Sequence, residues 1–377
     1  MFPKLRFKEF DGDWLKLKYI DVLTIKYGKD HKSLNDGDIP VLGTGGIMRY
    51  VDSYLYDGES ILIGRKGTID KPQYINEKFW TVDTLFYTEI KENIVPLFLF
   101  QHALEVNWLG LNEATGVPSL NTTSIYNVDI SIPSKEEQTK IVTFLSAVDE
   151  KISQIKQKHE LLSQYKQGMM QKLFSQQIRF KADDGSEFGE WEETTLEKIG
   201  TFLKGKGISK ADIVCDGQIP CVRYGELYTH YGEVISKVIS ATNIDVNNLV
   251  LSKANDILIP ASGETQIDIA TASCILDDGI ALSGDLNIFR TKENGIFLSY
   301  LIRSKLKMKI AQLAQGNSVV HLYATQLKGV ELNLPCLEEQ TQIANFLSAI
   351  DQKIEVVSKQ IEQAKQWKKG LLQQMFI

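Results

Sequence analysis

The 377-residue chain has a formal net charge of −6, from 42 basic and 48 acidic side chains. Its length suits about two domains, and its 43% content of hydrophobic residues excludes wholesale disorder. Its apolar runs are far shorter than the roughly 20 residues of a membrane span, and its first residues lack the apolar core of a signal peptide. We therefore expect a cytoplasmic protein without a membrane segment. The acidic balance alone argues against a nucleic-acid binder.

Residues 1–132 are predicted to form a mixed α+β domain. Short runs rich in β-branched residues, such as Ser60–Gly64 and Tyr126–Ile132, alternate with glycine-rich turns and predict strands. Residues 95–106 predict a helix. Residues 181–334 show the same mixture, with a predicted strand over residues 255–260 and a predicted helix over residues 295–315. The fold class is therefore α+β, with two such domains.

Residues 133–180, between these domains, are predicted to form one long helix. Pro133 is followed by Ser134 and Glu137, the spacing of a capping box at a helix start. A continuous helix over residues 136–174 would be about 57 Å long. Its apolar residues follow the 4-3 spacing of a coiled-coil seam; the seam residues are Ile141, Leu145, Val148, Ile152, Ile155 and Leu162.

Residues 335–377 repeat this helical segment. At a constant offset of 202 residues, 19 of the 43 positions from Ile132 to Phe174 are identical in the second copy, which indicates a duplication. The second copy has its seam at the same register, with Ile343, Leu347, Ile350, Ile354, Val357 and Ile361.

The organisation is therefore an α+β domain and a helix, repeated once with pseudo-two-fold character. Each helix has one apolar stripe, and its repeat is the expected antiparallel partner. The first helix runs into Arg179-Phe-Lys181, and the matching tripeptide Arg6-Phe-Lys8 lies near the N-terminus. We therefore expect the N-terminal residues to lie beside the end of the second helix.

Basic residues cluster locally in both α+β domains despite the acidic total, together with glycine, aromatic and amide residues. Lysine and arginine neutralise phosphates, and arginine can bind a guanine edge through two hydrogen bonds. Arg49, Arg65, Arg223 and Gln266 are the candidate base-reading residues, and Lys66, Lys204 and Lys206 are candidate phosphate contacts. The remaining candidates for DNA contact are Lys26, Lys29, Thr44, Tyr50, Thr68, Tyr224, Ser262 and Thr265. Taken singly, each is as well explained as an ordinary surface residue.

Catalytic signatures are scarce. The chain has no phosphate-binding loop, zinc-protease motif or nucleophile elbow, so we expect no catalytic residue, no bound metal and no cofactor in it. One set, Asp83 followed by Glu89 and Lys91, has the composition of a Mg²⁺-dependent nuclease site, although strand-end charges explain it equally well. The four cysteines show no zinc-ligand spacing.

The duplicated helices resemble those of a known family, the specificity (S) subunits of type I restriction-modification systems. The resemblance rests on Pro133 to Gln138 and Pro335 to Gln340, which read Pro-x-x-Glu-Glu-Gln, and on Phe144 to Ile152 and Phe346 to Ile354. It implies two target-recognition domains (residues 1–132 and 181–334), each reading half of an asymmetric bipartite DNA sequence. Two helical spacers (residues 133–180 and 335–377) would form an antiparallel coiled coil.

The resemblance also implies partners. Two modification subunits would supply S-adenosylmethionine-dependent methyl transfer, and restriction subunits would supply ATP- and Mg²⁺-dependent translocation and cleavage, while this chain is non-catalytic. The candidate partner-binding residues, at the two helix starts, are Glu136, Glu137, Gln138, Glu338, Glu339 and Gln340. Carboxylates there also complement the helix dipole. Two alternatives remain open: a Mg²⁺-dependent sequence-specific endonuclease and a non-catalytic protein-interaction scaffold.

Overall fold

The computed structural model describes residues 3–316 and 318–376. The chain divides into two compact units, and each unit takes a part of both long helices. Unit 1 consists of Met1–Gln157 and Val357–Ile377, and unit 2 consists of Lys158–Val356. No helix in the described part of the chain is long and apolar enough to cross a membrane.

The strands of unit 1 are β1 (Leu15–Lys18), β2 (Leu23–Tyr27), β3 (Ile39–Gly43), β4 (Gly46–Val51), β5 (Tyr56–Gly64), β6 (Gln73–Thr81), β7 (Leu85–Ile90) and β8 (Asp129–Ile132). The strands of unit 2 are β9 (Glu192–Thr195), β10 (Gly200–Lys204), β11 (Ile219–Val222), β12 (Val234–Ile235), β13 (Ser240–Thr242), β14 (Val250–Leu251), β15 (Ile257–Pro260), β16 (Ser262–Gly263), β17 (Ser273–Ile275), β18 (Ala281–Leu282), β19 (Leu286–Thr291), β20 (Val320–His321) and β21 (Glu331–Leu334).

The helices are α1 (Tyr19–Val22), α2 (Pro96–Ala103), α3 (Thr122–Tyr126), α4 (Lys135–Phe174), α5 (Leu196–Ile199), α6 (Glu226–Thr229), α7 (Gln266–Ile269), α8 (Gly295–Arg303), α9 (Lys307–Ala311), α10 (Ala324–Lys328) and α11 (Leu337–Met375). Short 3₁₀ turns occur at Trp108–Leu111, Lys210–Asp212 and Val246–Asn248.

Unit 1 is built on a six-stranded sheet in the order β2-β7-β5-β6-β3-β4. A separate antiparallel pair, β1 with β8, joins the two ends of the α+β segment, with Leu15 opposite Ile132. The core gathers apolar residues from this sheet, from α2 and from both long helices, including Ile61, Phe98, Leu145 and Met375.

Unit 2 has a similar architecture, but its strands form two sheets where unit 1 has one large sheet. One sheet has the order β10-β19-β15-β17-β12 and another the order β13-β11-β18-β14. The pair β21 with β9 corresponds to β8 with β1, and Leu334 lies opposite Glu192. The main core again combines sheet, helix and long-helix residues, including Ile257, Phe297 and Leu347.

The two long helices run antiparallel within each unit. In unit 1, Lys368 of α11 pairs with Asp149 of α4 at 2.7 Å. In unit 2, Lys166 of α4 pairs with Asp351 of α11 at 2.7 Å. These ion pairs occupy repeat positions, because Lys166 and Asp149 are 202 residues from Lys368 and Asp351. Like the seams beside them, they hold the register of the two helices.

Most seam residues are buried, as the 4-3 spacing predicts. Ile155, Leu162 and Ile354 are half-buried, while the buried members are Ile141, Leu145, Val148, Ile152, Ile343, Leu347, Ile350, Val357 and Ile361. The expected position of the N-terminal segment is confirmed: the backbone N–H of Leu5 donates to the carbonyl of Gln374, near the end of α11, at 2.9 Å.

Several predicted elements differ in extent. The predicted helix over residues 295–315 is broken at Ser304, whose N–H and hydroxyl both bond the carbonyl of Tyr300. The run Tyr126–Ile132 begins as the end of α3 and becomes a strand only at Asp129, because Asn121 caps a short helix by accepting from Ser124 N–H. The predicted capping box forms only in part: Ser134 accepts from the N–H of Glu137, while the Glu137 carboxylate binds elsewhere.

Candidate nucleic-acid interface

Among the candidate residues of unit 1, Thr44 lines a cleft of about 730 Å³. Three loops line it, at residues 30–32, 43–48 and 82–84. The first and third are held closely together: Lys29 N–H donates to the Thr81 carbonyl at 2.8 Å. A Cβ on Gly28 would lie only 2.0 Å from the carbonyl oxygen of Val82. Glycine is therefore required where β2 leads into this cleft.

The loop over residues 64–68 lies beside the same cleft. Its backbone is fixed on both sides, because Arg65 N–H donates to the Thr84 carbonyl at 2.9 Å and Leu120 N–H donates to the Arg65 carbonyl at 2.9 Å. Gly67 has a φ of +100° and lies against Thr44. The structure thus brings Thr44 and Arg65–Thr68 together on one surface.

Arg65 is the best placed arginine of this surface. Its side chain is exposed, its guanidinium lies 5.5 Å from the ring centre of Tyr27, and it donates to the Asp83 carbonyl at 3.1 Å. The aromatic ring and the backbone contact orient the guanidinium while leaving most of its five N–H donors available. This is the arrangement a bidentate base contact needs.

The other candidate cations of unit 1 are more constrained. Arg49 donates to Asp36 at 2.7 Å and to the Leu34 carbonyl at 3.2 Å, and Lys26 forms an ion pair with Glu89 at 3.4 Å. Tyr50 is half exposed on the edge strand β4, beside the exposed Ile47 and Met48. The Arg49 side chain therefore ties strand β4 to the segment that precedes β3.

Unit 2 has a second, smaller cleft of about 350 Å³. Lys204 and Ser262, both candidates from the sequence, line it together with Asp285, His321 and Tyr323. The Ser262 hydroxyl and the Nδ1 atom of His321 form a hydrogen bond of 3.1 Å.

Arg223 and Tyr224 lie elsewhere in unit 2. Arg223 forms a 3.4 Å ion pair with Glu226, whose carboxylate also accepts from Ser240 at 2.6 Å. The side chain of Gln266 donates to the Ala314 carbonyl at 3.4 Å, and Thr265 caps α7. Gln266 and Thr265 therefore have structural partners, which their candidate role did not anticipate.

Three backbone hydrogen bonds beside the unit 1 cleft recur at equivalent positions in unit 2. Lys206 N–H donates to the Leu282 carbonyl as Lys29 N–H does to Thr81. The N–H of Ala261 donates to the backbone carbonyl of Asp285, as that of Arg65 does to the carbonyl of Thr84. The N–H of Leu322 donates to the carbonyl of Ala261, as that of Leu120 does to the carbonyl of Arg65. A Cβ on Gly205 would lie 1.9 Å from the Ser283 carbonyl oxygen, as on Gly28 against Val82.

The side chains on this shared framework differ. Where unit 1 has Arg65, unit 2 has Ala261, and the further matched pairs are Lys66 with Ser262, Ser119 with His321, Thr44 with Tyr224, Asp83 with Gly284 and Thr84 with Asp285. The duplication thus preserves this backbone framework and changes the side chains on it. The two clefts open at different places on the framework, since Thr84 with Asp285 is the one pair of these in which both residues line a cleft.

The helix starts carry a second duplicated arrangement, which we call the helix-start clamp. In unit 1, Glu137 accepts from both Nε and an Nη of Arg6, at 2.7 and 2.8 Å. In unit 2, Glu339 accepts from Arg179 at 3.0 and 2.7 Å. Each arginine also donates to a backbone carbonyl, of Gly12 or Gly189. Pairs of this kind hold the segment before each α+β domain to the start of a long helix.

The neighbouring glutamines complete the clamp. Gln138 accepts from Val95 N–H at 2.8 Å, and Gln340 accepts from Asn294 N–H at 3.0 Å. The two glutamines and the two carboxylates of the clamp, Glu137 and Glu339, are buried, while Glu136 and Glu338 are exposed. The buried four are enclosed by the protein's own residues, and partner contact at these helix starts stays a prediction.

The comparisons with known proteins identify the repeated unit. The family model described as "Type I restriction modification DNA specificity domain" matches residues 12–164 and again residues 189–366. The chain belongs to this family. The resemblance found in the helical repeats is therefore confirmed, as is the fold class of two α+β domains with two long helices.

Individual members of the type I specificity family show the same similarity. The chain is 28% identical over 342 residues to the type I restriction enzyme MjaVIII specificity subunit of Methanocaldococcus jannaschii, which covers 84% of this chain and 76% of that protein. It is 25% identical over 322 residues to the putative specificity subunit S.HindORF215P of Haemophilus influenzae, covering 84% and 80%. In fold it is similar to the type I system S subunit from M. genitalium, with a TM-score of 0.62 and 15% identity over 100% of this chain and 99% of that chain.

The nuclease set is not supported, either by this membership or by geometry. Asp83 precedes β7 and Glu89 lies near its other end, so an extended backbone holds them about 20 Å apart. Glu89 pairs with Lys26, and Lys91 donates to the Ile20 carbonyl. Within residues 3–316 and 318–376, no three His, Cys, Asp or Glu residues form a group that could hold a metal ion.

The cysteines divide into two kinds. Cys221 and Cys274 are buried, and burial raises the pKa of their thiols to about 11 and about 12. Cys215 and Cys336 are exposed.

Proposed function

We propose that this chain is the non-catalytic subunit that selects the DNA sequence for a type I restriction-modification enzyme. The recognition domains, residues 1–132 and 181–334, each read one half of an asymmetric bipartite target. The helical segments, residues 133–180 and 335–377, set the spacer between the half-sites. The observation that carries the proposal is the backbone framework that the two domains share, which carries different side chains in each.

Direct readout explains why this arrangement suits recognition. Base pairs differ in the donors, acceptors and methyl groups that they show in the major groove. A constant framework docks on the duplex in a constant way, while the side chains on it decide which base edges are accepted. Arg65 in unit 1 and Ala261 in unit 2 cannot select the same base. Two unlike half-sites follow from this difference.

The catalytic steps belong to partners in this proposal. Two modification subunits dock on the helices and carry out methyl transfer from S-adenosylmethionine, and restriction subunits use ATP and Mg²⁺. The exposed Glu136 and Glu338 offer equivalent docking contacts at the two helix starts, which suits two identical partners. Such an assembly acts on double-stranded DNA in the cytoplasm. If the chain were instead a protein-interaction scaffold, neither cleft would bind DNA.

DNA binding is expected to depend on the partners. The chain is acidic overall, so by itself it should bind a target duplex weakly and lose that binding as salt rises, since phosphate neutralisation dominates such affinity. With the modification subunits present, binding should become tight and sequence-specific. Fluorescence anisotropy at several salt concentrations measures both states. Failure to bind DNA in either state would favour the scaffold alternative.

Arg65→Ala tests one base contact. We expect a loss of about 1–3 kcal/mol in binding to the target and a relaxed preference at one position of one half-site. Lys16→Ala is the matched control, because it removes an exposed positive charge from β1 without touching the cleft. Binding of the complex to a panel of single-position target variants measures the effect. An equal loss on every sequence would assign Arg65 to a phosphate instead.

A further inference from the structure

His321 and Tyr323 form an aromatic pair in the unit 2 cleft to which sequence reasoning gave no role. Their rings are stacked, with centroids 6.1 Å apart and an interplanar angle of 20°. Tyr323 is 53% exposed, so the pair lies at the solvent side of the cleft. Lys204 and Asp285 line the same cleft.

The backbone at His321 is held rigidly. His321 exchanges two hydrogen bonds with Gln315, of 2.7 and 2.9 Å, and the following residue, Leu322, donates to Ala261 at 3.0 Å. The Asn287 amide donates to the Leu322 carbonyl at 2.8 Å. A residue fixed in this way presents its side chain in one direction, which recognition of a base edge requires.

The matched framework places His321 where unit 1 has Ser119. Ser119 pairs with Lys66, next to Arg65, as His321 pairs with Ser262, next to Ala261. Unit 2 lacks an arginine at the Arg65 position, and its cleft instead has an imidazole one strand away. Arg65 in unit 1 and His321 in unit 2 thus place nitrogen atoms in equivalent regions of the two domains, although the two residues occupy different backbone positions.

The hydrogen bond to Ser262 decides which ring nitrogen faces outward. With Nδ1 bonded to the Ser262 hydroxyl, Nε2 is the atom left for a ligand, and no group within the described part of the chain bonds it. When Nδ1 accepts from Ser262, Nε2 carries the proton and is a donor. Purines present the N7 acceptor in the major groove.

We propose that His321 reads a purine in the second half-site by donating from Nε2 to the N7 edge, with Tyr323 stacked behind the ring. This inference rests on the proposed function and assigns it a specificity-determining residue. Replacement of one purine by its 7-deaza analogue tests it on the unaltered protein in complex with its modification subunits. One position in one half-site should then show a loss of affinity of roughly tenfold, the scale of a lost base contact.

Two substitutions separate base reading from a structural role. His321→Asn retains an amide near Nδ1 that can bond Ser262 but removes the outward nitrogen, so the 7-deaza effect should disappear and preference at that position should relax. His321→Gln places its amide near the Nε2 position and should retain the preference. A purely structural role predicts the reverse order, with Asn tolerated and Gln harmful. Thermal melting of each variant reports any loss of folding.

His230→Ala is the matched control. His230 is exposed where His321 is half-buried, and it too bonds a hydroxyl through Nδ1, that of Thr229 at 2.7 Å, but it does not line the cleft. Its substitution should leave the 7-deaza profile unchanged. A wild-type complex that reads two half-sites but shows no sensitivity to 7-deaza purines would overturn the assignment of His321 alone. A complex with no sequence preference at all would overturn the proposed function.

Discussion

Glu339→Ala is expected to lower the free energy of unfolding by about 3–5 kcal/mol, because it removes one partner of a buried ion pair and leaves the other without its counter-charge. The Glu339 side chain is 0% exposed, and it accepts two hydrogen bonds from Arg179, which is 20% exposed. The clamp connects Arg179 to the start of α11. Its loss should therefore also loosen the segment that precedes the second recognition domain.

Glu338→Ala is the control in the same turn of helix. Glu338 is exposed, and its substitution should change stability by no more than about 0.5 kcal/mol. Urea denaturation followed by circular dichroism measures both variants. Glu137→Ala and Glu136→Ala offer the same comparison at the equivalent clamp of unit 1. Equal effects within a pair would show that these carboxylates act only through the helix dipole.

Gly205→Ala is expected to destabilise unit 2 by about 2–3 kcal/mol, the scale of overpacking at a closed site. The added Cβ would lie 1.9 Å from the Ser283 carbonyl oxygen and 2.8 Å from that of Leu282. These are backbone atoms, so relief requires the strand end to move away. Lys204 and Lys206 flank this position, and the variant should therefore also weaken recognition of the second half-site more than that of the first.

Gly232→Ala is the matched control, because its Cβ would meet nothing within 4 Å. It should leave melting temperature and DNA preference essentially unchanged. Thermal melting and binding to duplexes altered in one half-site at a time separate the two effects. If Gly205→Ala behaved like the control, the close approach of β10 to the loop before β19 would not be a structural requirement.

The long helices were predictable because their signal is long. A seam that keeps 4-3 spacing from Ile141 to Leu162, and again from Ile343 to Ile361, is not produced by chance, and its repetition at a constant offset indicates that both copies have the same partner geometry. The same length made the antiparallel pairing predictable. By contrast, short elements such as α3 and the break at Ser304 depend on single side-chain-to-backbone bonds, which periodicity does not reveal.

The helix-start clamp was visible in the sequence but not interpreted. Arg6 and Arg179 belong to the repeated Arg-Phe-Lys tripeptides, and Glu137 and Glu339 belong to the repeated helix starts. Two distant pairs of residues preserved together through a duplication are candidates for contact. Read in that way, the pattern would have predicted a buried ion pair rather than a docking surface.

The clefts were predictable only in part. The loops containing Thr44 and Arg65 were selected because glycine, aromatic and basic residues occur together, and the structure brings them to one surface. His321 carried no such signal, since its partner Ser262 lies 59 residues away. The nuclease set showed the opposite error: Asp83 and Glu89 are close in sequence, but a strand separates them in space.

Sequencing of DNA methylation in cells that express this chain with its modification subunits tests the central claim most directly. Two unlike clefts on one framework predict methylation at a single bipartite motif with two different half-sites and a fixed spacer. A palindromic motif would contradict the account, because it would require the two clefts to select the same bases.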